Sequence, residues 1–191
     1  ITWAFANLNH ILLHLSSQEG IGARVLTSAK VFELLLTFPD GNRPPSQQAL
    51  GLHTTLVCLF NWSCKRENHQ TLFQHDVMQV LFDLYVNYLE QEDSRNHHEL
   101  DMRLVWFRIM ANLLRHSAQK IVNEHTPLLE KTIDMAQHCI STMKLSTKGF
   151  SDAMVCCHAI IRSMEPNYND KAFEPLRPYY VFWLLLVTCK S

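Results

Sequence analysis

Four side chains able to bind zinc lie within a short stretch of the chain, Cys58, Cys64, His69 and His75. Structural zinc sites pair their ligands closely, as in C-x₂₋₄-C with H-x₃₋₅-H. Here five residues separate the cysteines, and six helical steps turn about 600°, which places the two thiols on opposite faces. The spacing therefore disfavours a metal site. It predicts instead that Cys58 packs in a core and that Cys64 closes a helix C-terminus.

Two other groups of reactive side chains have equally unfavourable spacing. Cys156, Cys157 and His158 are adjacent, and neighbouring helical residues diverge by about 100°. His10 and His14 share a helix face, but no glutamate lies between them as in H-E-x-x-H. Glycine fingerprints for nucleotides and the G-x-S-x-G motif are missing from the sequence. We therefore expect no enzyme activity, no metal ligands and no cofactor.

Composition narrows the class of partner. Of 191 residues, 47% are apolar and 18% charged, and the formal net charge is −1. Such a balance gives no large electrostatic footprint for nucleic acid or anionic lipid. The longest apolar run, 179–187, is about half of what a membrane-spanning helix needs. We expect a protein partner, with neither nucleic acid nor membrane bound directly.

The cysteines indicate a compartment. Most of the six lie inside apolar helical runs, as reduced cysteines do in proteins of the cytoplasm or nucleus. The N-terminal stretch lacks the basic start and the cleavage site of a signal peptide. Because the chain begins at Ile1 rather than methionine, we expect it to be a piece of a longer protein.

Helices must position any functional side chains. Apolar residues recur at three- and four-residue steps, for example at Leu56, Leu59 and Phe60. Two further stripes are Val80, Leu81, Leu84, Tyr85 and Tyr88, and Leu104, Val105, Ile109, Asn112 and Leu113. Polar or proline-rich breaks fall at 39–46, 90–101, 144–152 and 165–178, with Ser46 as the expected cap of the next helix.

The helices recur as a tandem pattern. Aligning His14, Asn61 and Asn112 gives spacings of 47 and 51 residues, and a further 51 residues leads to Ser163. Around each point an apolar helix ends, a short polar step follows, and a longer apolar helix comes after a small break. The pattern predicts four units, roughly 1–43, 44–95, 96–146 and 147–191, in one domain over 1–191.

This organisation resembles the armadillo repeat and its HEAT relatives, whose units have two or three helices. Asn61 in "LFNWSC" and Asn112 in "MANLLR" match the asparagine at the end of the armadillo second helix, whereas His14 and Ser163 do not. The resemblance implies an all-α fold, a right-handed α-solenoid of about four units. It carries no catalytic residues over to this chain.

The resemblance also implies a binding surface, because the third helices of armadillo-like proteins line a concave face that binds extended or helical partner segments. On the corresponding helices here, polar residues form two lines at i, i+4 and i+8. These partner-binding candidates are Gln79, Asp83, Asn87, Glu130, Asp134 and His138. The same lines could equally form an ordinary solvated face.

The resulting hypothesis is a non-catalytic protein–protein interaction scaffold that binds a partner segment or coiled coil on its solenoid surface. The alternative is a self-assembling structural module of the centriole, cytoskeleton, checkpoint or chromatin scaffold type. In that case the apolar C-terminal helix around Trp183 would form a homo-oligomer contact.

Overall fold

Helices account for every regular element in the described part of the chain. The computed structural model describes residues 2–18, 20, 29–36, 42, 44–89, 97–125 and 127–133. No strand occurs among them, so the prediction of an all-α fold is confirmed. The helices are α1 (Thr2–Ser17), α2 (Ala29–Leu36), α3 (Pro45–Ser63), α4 (His69–Gln74), α5 (Val77–Leu84), α6 (His97–Glu124) and α7 (127–133).

Contacts divide the chain into two compact units, Ile1–Ile109 and Met110–Ser191, with the division inside α6. In the first unit, α3 packs against α1, α2, α4 and the 3₁₀ turn Arg66–Asn68. Buried apolar side chains from these helices and from α5 and α6 form its core: Leu12, Leu35, Leu52, Leu56, Cys58, Leu59, Trp62, Leu72, Val77, Met78, Val80, Leu81, Leu84, Leu89, Trp106, Phe107 and Ile109. The predicted fourth unit, 147–191, lies outside the described residues.

Helix α3 begins earlier than the sequence suggests. Its N-cap is Pro44 and its first residue is Pro45, so the prediction that Ser46 caps this helix is wrong. Proline suits the first helical position because its fixed φ is already helical and its missing N–H would lack a partner there anyway. Ser46 therefore lies inside the first turn and is exposed.

The polar step after α3 is a tight, internally bonded turn. Cys64 is the C-cap residue, and its N–H donates to the Phe60 carbonyl at 3.1 Å. Lys65 is extended and the 3₁₀ turn Arg66–Asn68 follows. The buried side chains of Asn68 and His69 bond back to the end of α3, Asn68 Nδ2 to Trp62 O at 3.2 Å and His69 Nε2 with Ser63 O at 2.8 Å. These two side chains tie the turn to the helix end that they follow.

Helix α5 starts from a left-handed residue and ends in a wider turn. Asp76, its N-cap, has φ 53° and ψ 42°, a conformation that aspartate tolerates better than most residues. After Leu84 the backbone continues as a π-helical turn over Tyr85–Leu89. Helix α6 is fixed against this region, because Trp106 Nε1 donates to the Leu81 carbonyl at 2.9 Å.

The second unit begins within α6, whose helical backbone is interrupted at Ser117 (φ −135°, ψ 25°). Helix α7 then starts with Pro127 in its first position. The His125 carbonyl accepts hydrogen bonds from the N–H groups of Leu128 and Leu129, both at 3.1 Å. The described apolar residues of α7, Leu128, Leu129 and Ile133, are buried. Across the described part of the chain, no helix combines the length and apolar character needed to cross a membrane.

Candidate interaction surface

The structure places four of the six predicted partner-binding residues. Gln79 and Asp83 are exposed on α5, and Asn87 is exposed on the π-helical turn that continues it. Glu130 is half-buried on α7. Asp134 and His138 lie outside the described residues. We call Gln79, Asp83 and Asn87 the α5 surface.

Within the α5 surface, two side chains are connected directly. Gln79 Nε2 donates to Asp83 Oδ1 at 2.8 Å, as an i, i+4 pair on one face of a helix. This bond orients the carboxylate and leaves its second oxygen to accept another donor. The surface therefore offers one negative charge with amide donors and acceptors from Gln79 and Asn87.

The opposite face of α5 explains why the α5 surface faces solvent. Its buried residues are Val77, Met78, Val80, Leu81 and Leu84. On the adjoining turn, Tyr85 packs against Trp106 with the ring centroids 4.8 Å apart and the planes tilted by 47°. Because the apolar face is held by the core and by α6, the polar residues are left on the outside.

A second polar feature joins α1 to α3. Asn61 Nδ2 donates to Ser16 Oγ at 2.9 Å, and the Ser16 hydroxyl donates to the Leu13 carbonyl at 2.9 Å. One turn earlier, the Cys58 thiol donates to the Leu12 carbonyl at 3.7 Å. Asn61, one of the two asparagines that carry the armadillo resemblance, therefore bonds two packed helices together.

Helices α1 and α3 also match each other at two buried pairs of positions at an offset of 47 residues. Ser16 near the end of α1 and Ser63 at the end of α3 are both buried, and each hydroxyl bonds the carbonyl three residues earlier, at 2.9 and 2.8 Å. Leu12 and its counterpart Leu59 are both buried. The offset is the one obtained from aligning His14 with Asn61.

The cysteine and histidine cluster is separated by the fold. Cys58 is buried and Cys64 is exposed at the helix end, which confirms the positions predicted for both. Burial raises the pKa of the Cys58 thiol to about 11, and the Ser16 hydroxyl opposes part of that rise. His69 bonds a main-chain carbonyl. Among the residues that the structure describes, no three His, Cys, Asp or Glu side chains are grouped to hold a metal ion.

A small pocket lies beside the α1–α3 junction. Ser16, Asn61, Trp62, Lys65 and Asn68 contribute to its wall, and its volume is about 40 Å³. That space holds a water molecule or two and is far below the few hundred Å³ typical of small-molecule sites. The geometry at this point suits packing between helices rather than substrate binding.

Comparison with known proteins gives no family assignment for this chain. No protein-family model, no curated protein and no solved structure matches the chain.

Sequence reasoning missed several residues that build this region. Of the apolar stripe predicted on α6, Ile109 and Leu113 are fully buried but Leu104 and Val105 are only half-buried, and the stripe leaves out the fully buried Trp106, Phe107 and Met110. The aromatic run "VWF" is a signal that could have located them, since large aromatic side chains dominate cores. The bridge between Asn61 and Ser16 joins residues 45 positions apart, and no local pattern reveals such a pair.

Proposed function

We propose that this chain is a non-catalytic protein-interaction scaffold built as an armadillo- or HEAT-like α-solenoid, with a partner segment bound along the α5 surface. The observation that carries the proposal is the regular spacing of three helix starts. Helices α2, α5 and α7 begin at residues 29, 77 and 127, which are 48 and then 50 residues apart. Each follows a long helix, α1, α3 or the first part of α6.

The matched faces of α1 and α3 support the same architecture. Repeat units of this length cannot bury their apolar faces alone, so neighbouring units stack and share a core. Stacking requires equivalent positions to be buried in successive units, as Ser16 and Ser63 are. On this proposal four units extend over 1–191, in the boundaries that the sequence spacing predicts.

The chemistry of the α5 surface supports an extended or helical segment as the partner. Such a segment has main-chain or side-chain N–H groups that can donate hydrogen bonds to the carboxylate and to the two amide oxygens. Its C=O groups can accept hydrogen bonds from the amide N–H groups. Asp83 adds a charge that favours a lysine or arginine of the partner. Glu130, Asp134 and His138 follow Gln79, Asp83 and Asn87 by 51 residues each and extend the proposal to the next unit.

The expected reduced state of the cysteines supports a proposal for the cellular compartment. We propose that the protein functions in the cytoplasm or nucleus, where Cys58 and Cys64 stay reduced. Its partners on this proposal are proteins, without direct binding to nucleic acid or membrane.

The test compares partner capture by matched variants. Tagged wild-type chain is used for affinity purification from cell extract, with quantitative mass spectrometry, beside the double variant Asp83→Arg, Asn87→Ala. The control is Gln70→Arg, a change at an exposed position of α4. We expect specific proteins to be captured by the wild type and the control and lost from the double variant, with all three chains equally helical. An unchanged set of captured proteins would refute the α5 surface as the binding site.

A further inference from the structure

One buried indole group in the first unit has no hydrogen-bond acceptor. Trp62 is 1% exposed, and its Nε1–H group donates to no acceptor in the described part of the chain. Trp106 is also fully buried, but its Nε1 donates to the Leu81 carbonyl at 2.9 Å. Buried polar groups of folded proteins are nearly always hydrogen-bonded, either to the protein or to ordered water. The Trp62 indole therefore indicates a bound ligand with an acceptor atom.

The small pocket beside the α1–α3 junction provides space for such a ligand. Trp62 lines this pocket together with Ser16, Asn61 and Asn68. The pocket volume is about 40 Å³, whereas one water molecule needs about 10–15 Å³ measured in this way. The size therefore suits a ligand of one or two heavy atoms.

Two carboxamide oxygens in the same wall complement the indole donor. The Asn61 amide nitrogen donates to Ser16 Oγ, and the Asn68 amide nitrogen donates to the Trp62 carbonyl. Within the residues that the structure describes, neither Oδ1 atom accepts a hydrogen bond. The pocket wall thus contains one N–H donor and two carbonyl acceptors that have bonds left to make.

This combination of groups selects the chemistry of the ligand. A water molecule can accept one hydrogen bond and donate two, and buried waters typically make about three. An anion could accept from the indole but would be repelled by the two carboxamide oxygens, and a cation would be repelled by the N–H group. Lys65 and Glu67, which also line the pocket, carry opposite charges and give no net preference for an ion.

We propose that this pocket binds one ordered water molecule, which accepts a hydrogen bond from Trp62 Nε1 and donates to the Oδ1 atoms of Asn61 and Asn68. The water connects the last turn of α3 to the 3₁₀ turn Arg66–Asn68 that follows it. Because Asn61 also bonds α1 through Ser16, the water belongs to the polar junction that joins α1, α3 and the turn. The site is separate from the α5 surface, so the two proposals succeed or fail independently.

The test detects water beside the indole protons of the whole 191-residue chain, labelled with ¹⁵N. Sequential assignment identifies the indole resonances of the four tryptophans, and Trp62→Phe confirms one of them by its disappearance. We expect a rotating-frame Overhauser cross-peak between water and the Trp62 indole proton, with the sign opposite to that of proton exchange. Trp106 is the matched control and should give no such cross-peak, because its N–H group is bonded to a carbonyl.

Two variants exclude a signal relayed by the protein's own exchanging protons. Ser16→Ala removes the hydroxyl from the pocket wall, and Lys65→Met removes the ammonium group. The Trp62 cross-peak should persist in both chains, with the circular dichroism spectrum of the wild type.

Three outcomes would overturn the proposal. The first is that the Trp62 indole proton shows no water cross-peak, like that of Trp106. The second is loss of the cross-peak in Ser16→Ala or Lys65→Met, which would identify a relayed signal. The third is a saturable shift of the Trp62 indole resonance on addition of acetate or phosphate, together with loss of the water cross-peak, which would make an anion the occupant.

Discussion

Individual side chains at the α1–α3 junction show how the same residue types can be ligands in one protein and packing groups in another. Cys58 and His69 both bond main-chain carbonyls inside the first unit. Each bond satisfies a buried polar group, and leaving such a group without a hydrogen-bond partner would cost about 1–3 kcal/mol. Their chemistry is used for holding helices together, and the sequence spacing alone already indicated that they do not converge.

The Cys58 thiol makes stability depend on alkaline pH. Its pKa is about 11 in the folded chain and returns toward 9.0 when unfolding exposes it. The unfolded chain therefore loses the proton first, so the stabilisation is complete below pH 9 and declines as the pH rises toward 11. Between pH 7.5 and 9.5 we expect Cys58 to account for a loss of about 1 kcal/mol in the free energy of unfolding.

Urea unfolding at the two pH values measures this loss. Cys58→Ala lowers stability at both pH values through its cavity, but its pH-dependent drop should be smaller than that of the wild type by the stated amount. Cys64→Ala, at an exposed thiol, is the matched control and should keep the wild-type drop. Equal pH dependence in all three chains would show that Cys58 does not titrate as a buried thiol.

At the scale of the element, turns rather than helix interiors set where the helices begin and end. The sequence predicts α3 and α5 because a buried helix face requires apolar residues at three- and four-residue steps. It does not predict where α3 starts, because two consecutive prolines, rather than the expected serine, begin the helix. The bonds of Asn68 and His69 to the end of α3 were also hidden, because polar residues in a turn read as solvated until their partners are known.

The turn before α5 gives a direct test of backbone conformation. Asp76 is left-handed, with φ 53°, a region that costs a residue with a Cβ roughly 1–2 kcal/mol and glycine nothing comparable. We expect Asp76→Gly to preserve or raise the thermal midpoint, and Asp76→Val to lower the free energy of unfolding by about 1 kcal/mol or more. Differential scanning calorimetry of both variants measures this.

The control for that series is Gln79→Val, which places the same side chain on an exposed, right-handed position of α5. Its stability should stay within about 0.5 kcal/mol of the wild type. If Asp76→Val and Gln79→Val had equal effects, the left-handed turn would not be a constraint on the start of α5.

Over the whole molecule, the spacing of helix junctions was the most informative sequence feature. The offset of 47 residues, first taken from His14 and Asn61, matches Ser16 to Ser63 in burial and in hydrogen bonding. On the proposed repeat architecture, the sequence reveals this offset because repeated units require apolar and capping positions to recur. The sequence alone does not distinguish the α5 surface from an ordinary solvated face, because solvent-facing polar residues are constrained only by what they bind.

The measurement that tests the scaffold proposal most directly is hydrogen–deuterium exchange of the chain with and without a partner captured by it. We expect the bound partner to slow exchange in the segment 77–89, which contains Gln79, Asp83 and Asn87, with the 66–74 segment unchanged as an internal reference. This pattern should disappear in the Asp83→Arg, Asn87→Ala chain. Protection confined to other helices, with 77–89 exchanging as in the free protein, would contradict the proposed binding surface.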